Sequence, residues 1–280
     1  MYLCHFGLTE LPFGITPDTQ FVYSAASHQE ALNTLLLAVR GGEGFIKITG
    51  EVGTGKTLLC RRFLSMLGDD CVAAYIPNPQ LDGRALLVEI AEELGFARTD
   101  AQDDAVHIIK HINQCLLDLA EQGKTVVLCI DEAQTMPVAT LESLRLISNL
   151  ETEKRKLIQI VLFGQPELDE RLAQPAVRQL RQRIVFHYRM PALKRIELAA
   201  YVDHRLRVAG YHGARLFSGP ARRALYRHSG GVPRLVNILA HKAMLSAFGE
   251  GADSVRWRHV RAAARDTEGV RGAGWFALGV

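Results

Sequence analysis

Residues 44–57 read Gly-Phe-Ile-Lys-Ile-Thr-Gly-Glu-Val-Gly-Thr-Gly-Lys-Thr. The first half, GFIKIT over 44–49, is a short apolar run that reads as a buried strand. The second half, Gly50, Glu51, Val52, Gly53, Thr54, Gly55, Lys56 and Thr57, fits G-x-x-x-x-G-K-[ST]. A helix is expected from Lys56 to Leu67, with Thr57 and Leu58 in its first turn. Glycines let the backbone curl until successive N–H groups converge on an anion. The positive end of the following helix faces the same anion. From background residue usage, a chance match in a chain of this length arises roughly once in a hundred, and here a strand precedes it and a helix follows. The segment therefore reads as a phosphate cradle.

Outward from this segment, strand and helix patterns alternate. Strands are expected at CVAAYI (71–76), TVVLCI (125–130), LIQIVLF (157–163) and IVFHY (184–188). Helices are expected at 28–40, 83–94, 107–121 and 141–150. Apolar strands that do not alternate cleanly, separated by helices, imply a parallel sheet covered on both faces, an α/β αβα sandwich. After Pro191 no strand pattern recurs. Helices are expected at 196–208, 220–228, 233–248 and 255–265, a second, all-helical domain. The expected division is an irregular lead-in over 1–27, an α/β core over 28–190, a helical lid over 191–268 and a tail over 269–280.

Within this frame the chemistry-bearing residues take places. Lys56 is suited to the β- and γ-phosphates of ATP and the Thr57 hydroxyl to Mg2+. The run Val-Val-Leu-Cys-Ile-Asp-Glu (126–132) ends a buried strand in two acids. Asp131 can hold magnesium through water, and Glu132 can polarise an attacking water. Gln165, at the end of the next strand, is placed for the γ-phosphate or the water. Arg178, Arg181 and Arg183 form a basic cluster in QLRQRI, read either as a solvated helix face or as a source of an arginine finger, with Arg183 favoured. In GGVPR (230–234), glycines break one helix and Pro233 starts the next, which puts Arg234 on a first turn, positioned to swing against the nucleotide.

Composition excludes other classes. Apolar residues make up 48% and charged residues 22% of the 280, a globular rather than a disordered profile. The formal net charge of +3 does not call for nucleic acid. Five scattered cysteines without a C-x-x-C pair argue for reduced thiols, hence a cytoplasmic setting, with three in apolar neighbourhoods expected to be buried. The N-terminus carries no signal-peptide pattern, and no apolar stretch approaches the roughly 20 residues of a membrane helix. The terminal GAGWFALGV is apolar but short. His107 and His111 have chelating spacing but no third ligand, and read as surface residues. Trp257 with Arg256, Arg258, His259 and Arg261 reads as a basic helix face, the alternative being a contact with nucleic acid or acidic lipid.

In this order, GEVGTGKT, CIDEAQ, FGQPEL, LRQRI and GGVPR resemble an AAA+ ATPase. The opening FGLTELPFGITPDTQFVYSAASHQEAL, followed by GEGFIKITGEVGTGKTLLCR, resembles the secretion ATPases of the ExeA (general secretion pathway protein A) type. It resembles still more closely MshM-type proteins of mannose-sensitive haemagglutinin (MSHA) pilus biogenesis, a short form without the membrane helix and periplasmic domain of the first type. The resemblance implies a P-loop core of five parallel strands with a helical lid and nucleotide bound between them. It makes Gln165 the sensor 1 residue, in place of the usual Asn, Ser or Thr, and Arg234 sensor 2. It also puts the lead-in, with Phe13 and the His28 region, near the adenine. The expected function is an ATP-hydrolysing assembly ATPase for a type IV (MSHA-like) pilus or general secretion system. It would form an ATP-dependent homo-oligomer, a hexamer being one form, and partner envelope machinery, in the cytoplasm or peripheral at the inner membrane. The alternative is an ATP-dependent DNA-binding transposition regulator of the TniB/TnsC type.

Overall fold

The computed structural model describes residues 2–16, 18–96, 104–151 and 156–270. The terminal GAGWFALGV lies outside the described residues. The chain divides into two compact units: one holds Ser27–Gly50 and Leu59–Met190, the other the residues up to Ala26, Glu51–Leu58 and those from Pro191 on.

The first unit is built on five parallel strands, β1 (Phe45–Gly50), β2 (Cys71–Ile76), β3 (Thr125–Ile130), β4 (Ile158–Gly164) and β5 (Ile184–Met190), in the order β2-β3-β4-β1-β5. Because side chains alternate along a strand, each strand feeds two cores. Val126, Leu128 and Ile130 of β3 point into one, with Ile158, Ile160 and Leu162 of β4. Val127 and Cys129 point into the other, with Ile46, Ile48, Val161 and Phe163. The first face is covered by the helices Gly83–Glu93, Ala105–Glu121 and Val138–Ile147, the second by Ala26–Arg40 and the later turns of Lys56–Leu64. Apolar residues on both faces are why these strands read as continuous runs.

In chain order the helices are α1 (Tyr2–Phe6), α2 (Ala26–Arg40), α3 (Lys56–Leu64), α4 (Gly83–Glu93), α5 (Ala105–Glu121), α6 (Val138–Ile147), α7 (Glu167–Leu172), α8 (Arg178–Gln182), α9 (Arg195–Val208), α10 (Gly219–Ser229), α11 (Pro233–Gly249) and α12 (Trp257–Arg265). Capping sets several of these ends. Asp82, Asp104 and Ser218 accept the N–H groups of Ala85, His107 and Ala221, and Gly230, at φ +61°, closes α10.

In the second unit α9 to α12 share a core with the lead-in, which is not wholly irregular: α1 is a short helix. Tyr2, Phe6, Phe13 and Phe21 supply the apolar surface that α9 and α11 need. Arg205 sits 7% exposed beneath this strap. Its Nε donates to the Pro12 carbonyl at 2.5 Å and its Nη1 to the Tyr201 hydroxyl at 3.0 Å, and the guanidinium lies 4.7 Å from the centre of the Phe21 ring. Asn237 joins in, accepting from Tyr201 at 2.7 Å and donating to the Gly14 carbonyl at 3.0 Å. Every hydrogen bond formed here satisfies a polar group that burial would otherwise penalise.

Two expectations about side chains are corrected. Of the cysteines, two are buried rather than three, Cys60 and Cys129; Cys71 and Cys115 are half-buried and Cys4 is exposed. His259, expected on the basic face of α12, is fully buried and bonds to Glu250, because its position turns inward while Trp257 and Arg261 share the outer face.

Candidate functional site

The phosphate-loop residues belong to the helical unit, where two helix-start features hold them. Gly53 and Gly55 adopt φ +79° and +98°, the left-handed region that favours glycine. The first N–H groups of a helix have no partner within it. That of Arg234, beside Pro233 at the start of α11, is satisfied by the Gly53 carbonyl at 3.2 Å. The Arg234 stem covers Gly53 so closely that a Cβ there would lie 2.4 Å from the Arg234 Cβ. Gly231, at φ +81°, sets the entry to α11: a Cβ on it would meet the Leu193 carbonyl oxygen at 2.1 Å. Lys56 is 4% exposed and donates to the Glu51 carbonyl at 3.0 Å, an acceptor shared with the Thr54 hydroxyl at 2.8 Å. Thr57 and Leu58, in the first turn of α3, are half-buried, and Val52 and Glu51 are exposed.

The acids belong to the sheet unit, at the carboxyl ends of β3 and β4, the edge where open α/β sheets bind ligands. Gly50 ends β1 at the same edge. Asp131 is 2% exposed; its N–H donates to the Ile76 carbonyl, its Oδ1 accepts the Glu132 N–H at 2.9 Å, and the Tyr75 hydroxyl stands 3.5 Å from its Oδ2. Burial, with the nearby Asp131 carboxylate next in effect, pushes the Tyr75 hydroxyl up to about 12, so it remains a proton donor.

Glu132 is the one non-glycine residue with positive φ, +50°, among the described residues. Such backbone is strained and persists where its surroundings fix it. The fixing groups are two glutamines. Gln134 Nε2 donates to Glu132 Oε2 at 2.5 Å and Gln165 Nε2 to the same oxygen at 3.1 Å. The Gln134 Oε1 accepts the Gln165 backbone N–H at 2.9 Å, which closes the set. Gln134 has no counterpart among the sequence-derived candidates. Its signal was its position two residues after an acid at a strand end, which only the short turn Ala133–Thr135 converts into contact.

The arginines separate. Arg178 and Arg181 on α8 are exposed, and Arg183 donates to the Ser148 hydroxyl at 2.8 Å within its own chain. Phe13 is 2% exposed with its ring edge-on to Phe217, a core position in the helical unit. His107 pairs with Asp104 at the start of α5, and His111 faces Phe96 and Cys115.

The donor chemistry fits a nucleoside triphosphate with Mg2+. The left-handed glycines and the lysine suit phosphate oxygens. A buried carboxylate such as Asp131 suits a cation that keeps several waters and phosphate ligands. Among the described residues no group of three or more His, Cys, Asp or Glu forms a metal cage of its own.

Comparison with known proteins supports the nucleotide. Residues 39–172 match the AAA domain family. The whole chain is 40% identical to general secretion pathway protein A of Aeromonas hydrophila, and spans 51% of that protein's length. The two matches support an AAA+ ATPase of the general secretion pathway protein A type. Solved structures of similar fold include the Aeropyrum pernix ORC2 protein, 17% identical at TM-score 0.65 over 90% of this chain and 72% of that one. The Thermotoga maritima RuvB Holliday junction branch migration motor is 18% identical at TM-score 0.58, over 92% and 73%. At such identities the likeness concerns the fold. Among the described residues no helix is long and apolar enough to cross a membrane.

Proposed function

We propose that this AAA+ chain binds ATP with Mg2+ and hydrolyses it, as the cytoplasmic assembly ATPase of a secretion or pilus machine. The observation that carries the catalytic part is Glu132: a strained backbone and two amide donors fix one carboxylate oxygen, Oε2. Both recorded donors meet Oε2, so Oε1 is the oxygen to orient a water and take its proton.

In this reading Lys56 and the N–H groups of Gly50–Leu58 hold the β- and γ-phosphates. Thr57 and Asp131 hold magnesium, which supplies charge neutralisation at the phosphate oxygens. Gln165 ties the water-orienting carboxylate to the end of β4 and serves as sensor 1. Arg234, packed on Gly53, reports the state of the phosphate loop to α11 and serves as sensor 2. The expected division into lead-in, core, lid and tail is part of the proposal. So is a homo-oligomer in which one of Arg178, Arg181 and Arg183 reaches a neighbour's phosphate. For Arg183 that use would break its bond to Ser148.

The test is phosphate release and ATP binding by the wild type, Lys56→Ala and Glu132→Gln, with light scattering on the same samples. Glu132→Gln is expected to bind ATP, turn it over at least about a hundredfold more slowly, and accumulate as the oligomer. Turnover by Glu132→Gln at the wild-type rate would remove Glu132 from catalysis.

A further inference from the structure

Helices α10 and α12 enclose a groove of about 670 Å3 within the helical unit, lined by Pro220, Arg223, Ala224, Arg227, Trp257 and Arg261 among its residues. Trp257 is 50% exposed, a large apolar side chain in a place where solvation is costly. The three arginines are exposed and, among the described residues, have no ion pair, unlike Arg222, which Asp203 holds by both its terminal nitrogens. Arg261 lies 6.0 Å from the centre of the Trp257 ring, a contact that preorders both groups.

We propose that this groove binds an acidic helical segment of a partner protein, anchored by an apolar side chain on Trp257. The spacing of the walls supports this occupant. Arg223 and Arg227 are four residues apart on α10, and Trp257 and Arg261 are four apart on α12. Each pair is one helical turn, roughly 5–6 Å between Cβ atoms. Carboxylates four residues apart on a docked helix have the same separation, so two of them meet two guanidiniums in register. Guanidinium forks match carboxylates by two parallel N–H donors. Pro220, Ala224 and the indole face give the apolar floor that helix-in-groove recognition requires.

Nucleic acid fits less well. A strand-tracking surface carries cations along a path, with repeated aromatic platforms. Here there is one aromatic platform, Trp257. Of the neighbouring cations, Arg258 on α12 is held by Glu250 and Lys242 on α11 by Asp266. The inference goes beyond nucleotide chemistry and involves none of its residues.

The chain has two tryptophans, Trp257 and Trp275, so Trp275→Phe leaves Trp257 as a sole fluorescent reporter. That variant is titrated with a synthetic helix bearing Glu at four-residue intervals beside Leu, with its Gln counterpart, and with single- and double-stranded oligonucleotides. The acidic helix is expected to shift Trp257 emission, with affinity that falls as salt rises. Binding should weaken about tenfold or more in Arg223→Glu/Arg227→Glu and return with a Lys-bearing helix. Circular dichroism and ATP binding of the same variant establish that it is folded. Equal binding of the Gln helix, tighter binding of either oligonucleotide, or no emission change with any ligand would each overturn the proposal.

Discussion

Gln134 donates to the carboxylate of Glu132 at 2.5 Å while its amide oxygen accepts the Gln165 backbone N–H at 2.9 Å. One side chain thereby links the acid at the end of β3 to the turn at the end of β4. Gly164 admits this link: a Cβ there would meet Gln134 Oε1 at 3.3 Å and Leu168 at 2.7 Å. Hydrogen bonds to charged groups contribute about 1.5–3 kcal/mol. Gln134→Leu is therefore expected to lower kcat about ten- to a hundredfold with KM for ATP nearly unchanged. Steady-state kinetics over a range of ATP concentrations separates the two. A raised KM at constant kcat would assign Gln134 to ATP binding instead.

Gly53 allows the phosphate loop and α11 to touch. Alanine there meets both a left-handed backbone, costing about 1–2 kcal/mol, and the Arg234 stem. Gly53→Ala is expected to abolish ATP-induced thermal stabilisation and to lower the melting temperature without nucleotide. Arg234→Ala should restore little of the melting temperature lost in Gly53→Ala, since it keeps the Cβ that the new methyl meets at 2.4 Å. Arg234→Gly removes that atom and should restore more. Thermal melts of the single and double variants, with and without ATP, measure this.

The lead-in strap depends on Arg205. Arg205→Met keeps the apolar stem but leaves the Pro12 carbonyl without its donor and removes the partner of the Phe21 ring. A loss of about 2–4 kcal/mol is expected, measured by urea unfolding. Faster proteolysis of the segment before Ala26 should accompany it.

Acid should loosen the same unit. The Tyr2 hydroxyl, which burial pushes up to about 12, is hydrogen-bonded with His241 Nδ1 at 2.9 Å. Desolvation holds His241 below the usual imidazole value. The unfolded chain thus binds the proton more readily. The stability this neutral ring provides is complete above about pH 6.5 and declines as pH falls through the unfolded value toward the lowered folded one. Burial shifts His187 and His204 in the same direction. Melting temperatures from pH 7.5 to 5 are expected to fall, and His241→Asn to flatten that slope. An unchanged slope would place the effect at the other two histidines.

The strands at 71–76 and 125–130 coincide with their sequence patterns, and the remaining helix and strand limits move by a few residues, because these runs are apolar on both faces and bounded by caps and glycines. Helices α1, α7 and α8 escaped the pattern because five or six residues are too few to show a period.

Residue type and order along the chain determined the left-handed glycine loop before α3, the acids at the end of β3 and the α/β class, since each follows from short-range steric and hydrogen-bonding rules. Only the tertiary structure decided that Gln134 and Gln165 converge on one oxygen of Glu132, that Arg234 lies on Gly53, and that His259 turns inward while Trp257 and the exposed Arg223, Arg227 and Arg261 share a groove. These relations depend on strand register, helix rotation and loop curvature. Such quantities arise when distant segments pack against one another, and no local pattern specifies them.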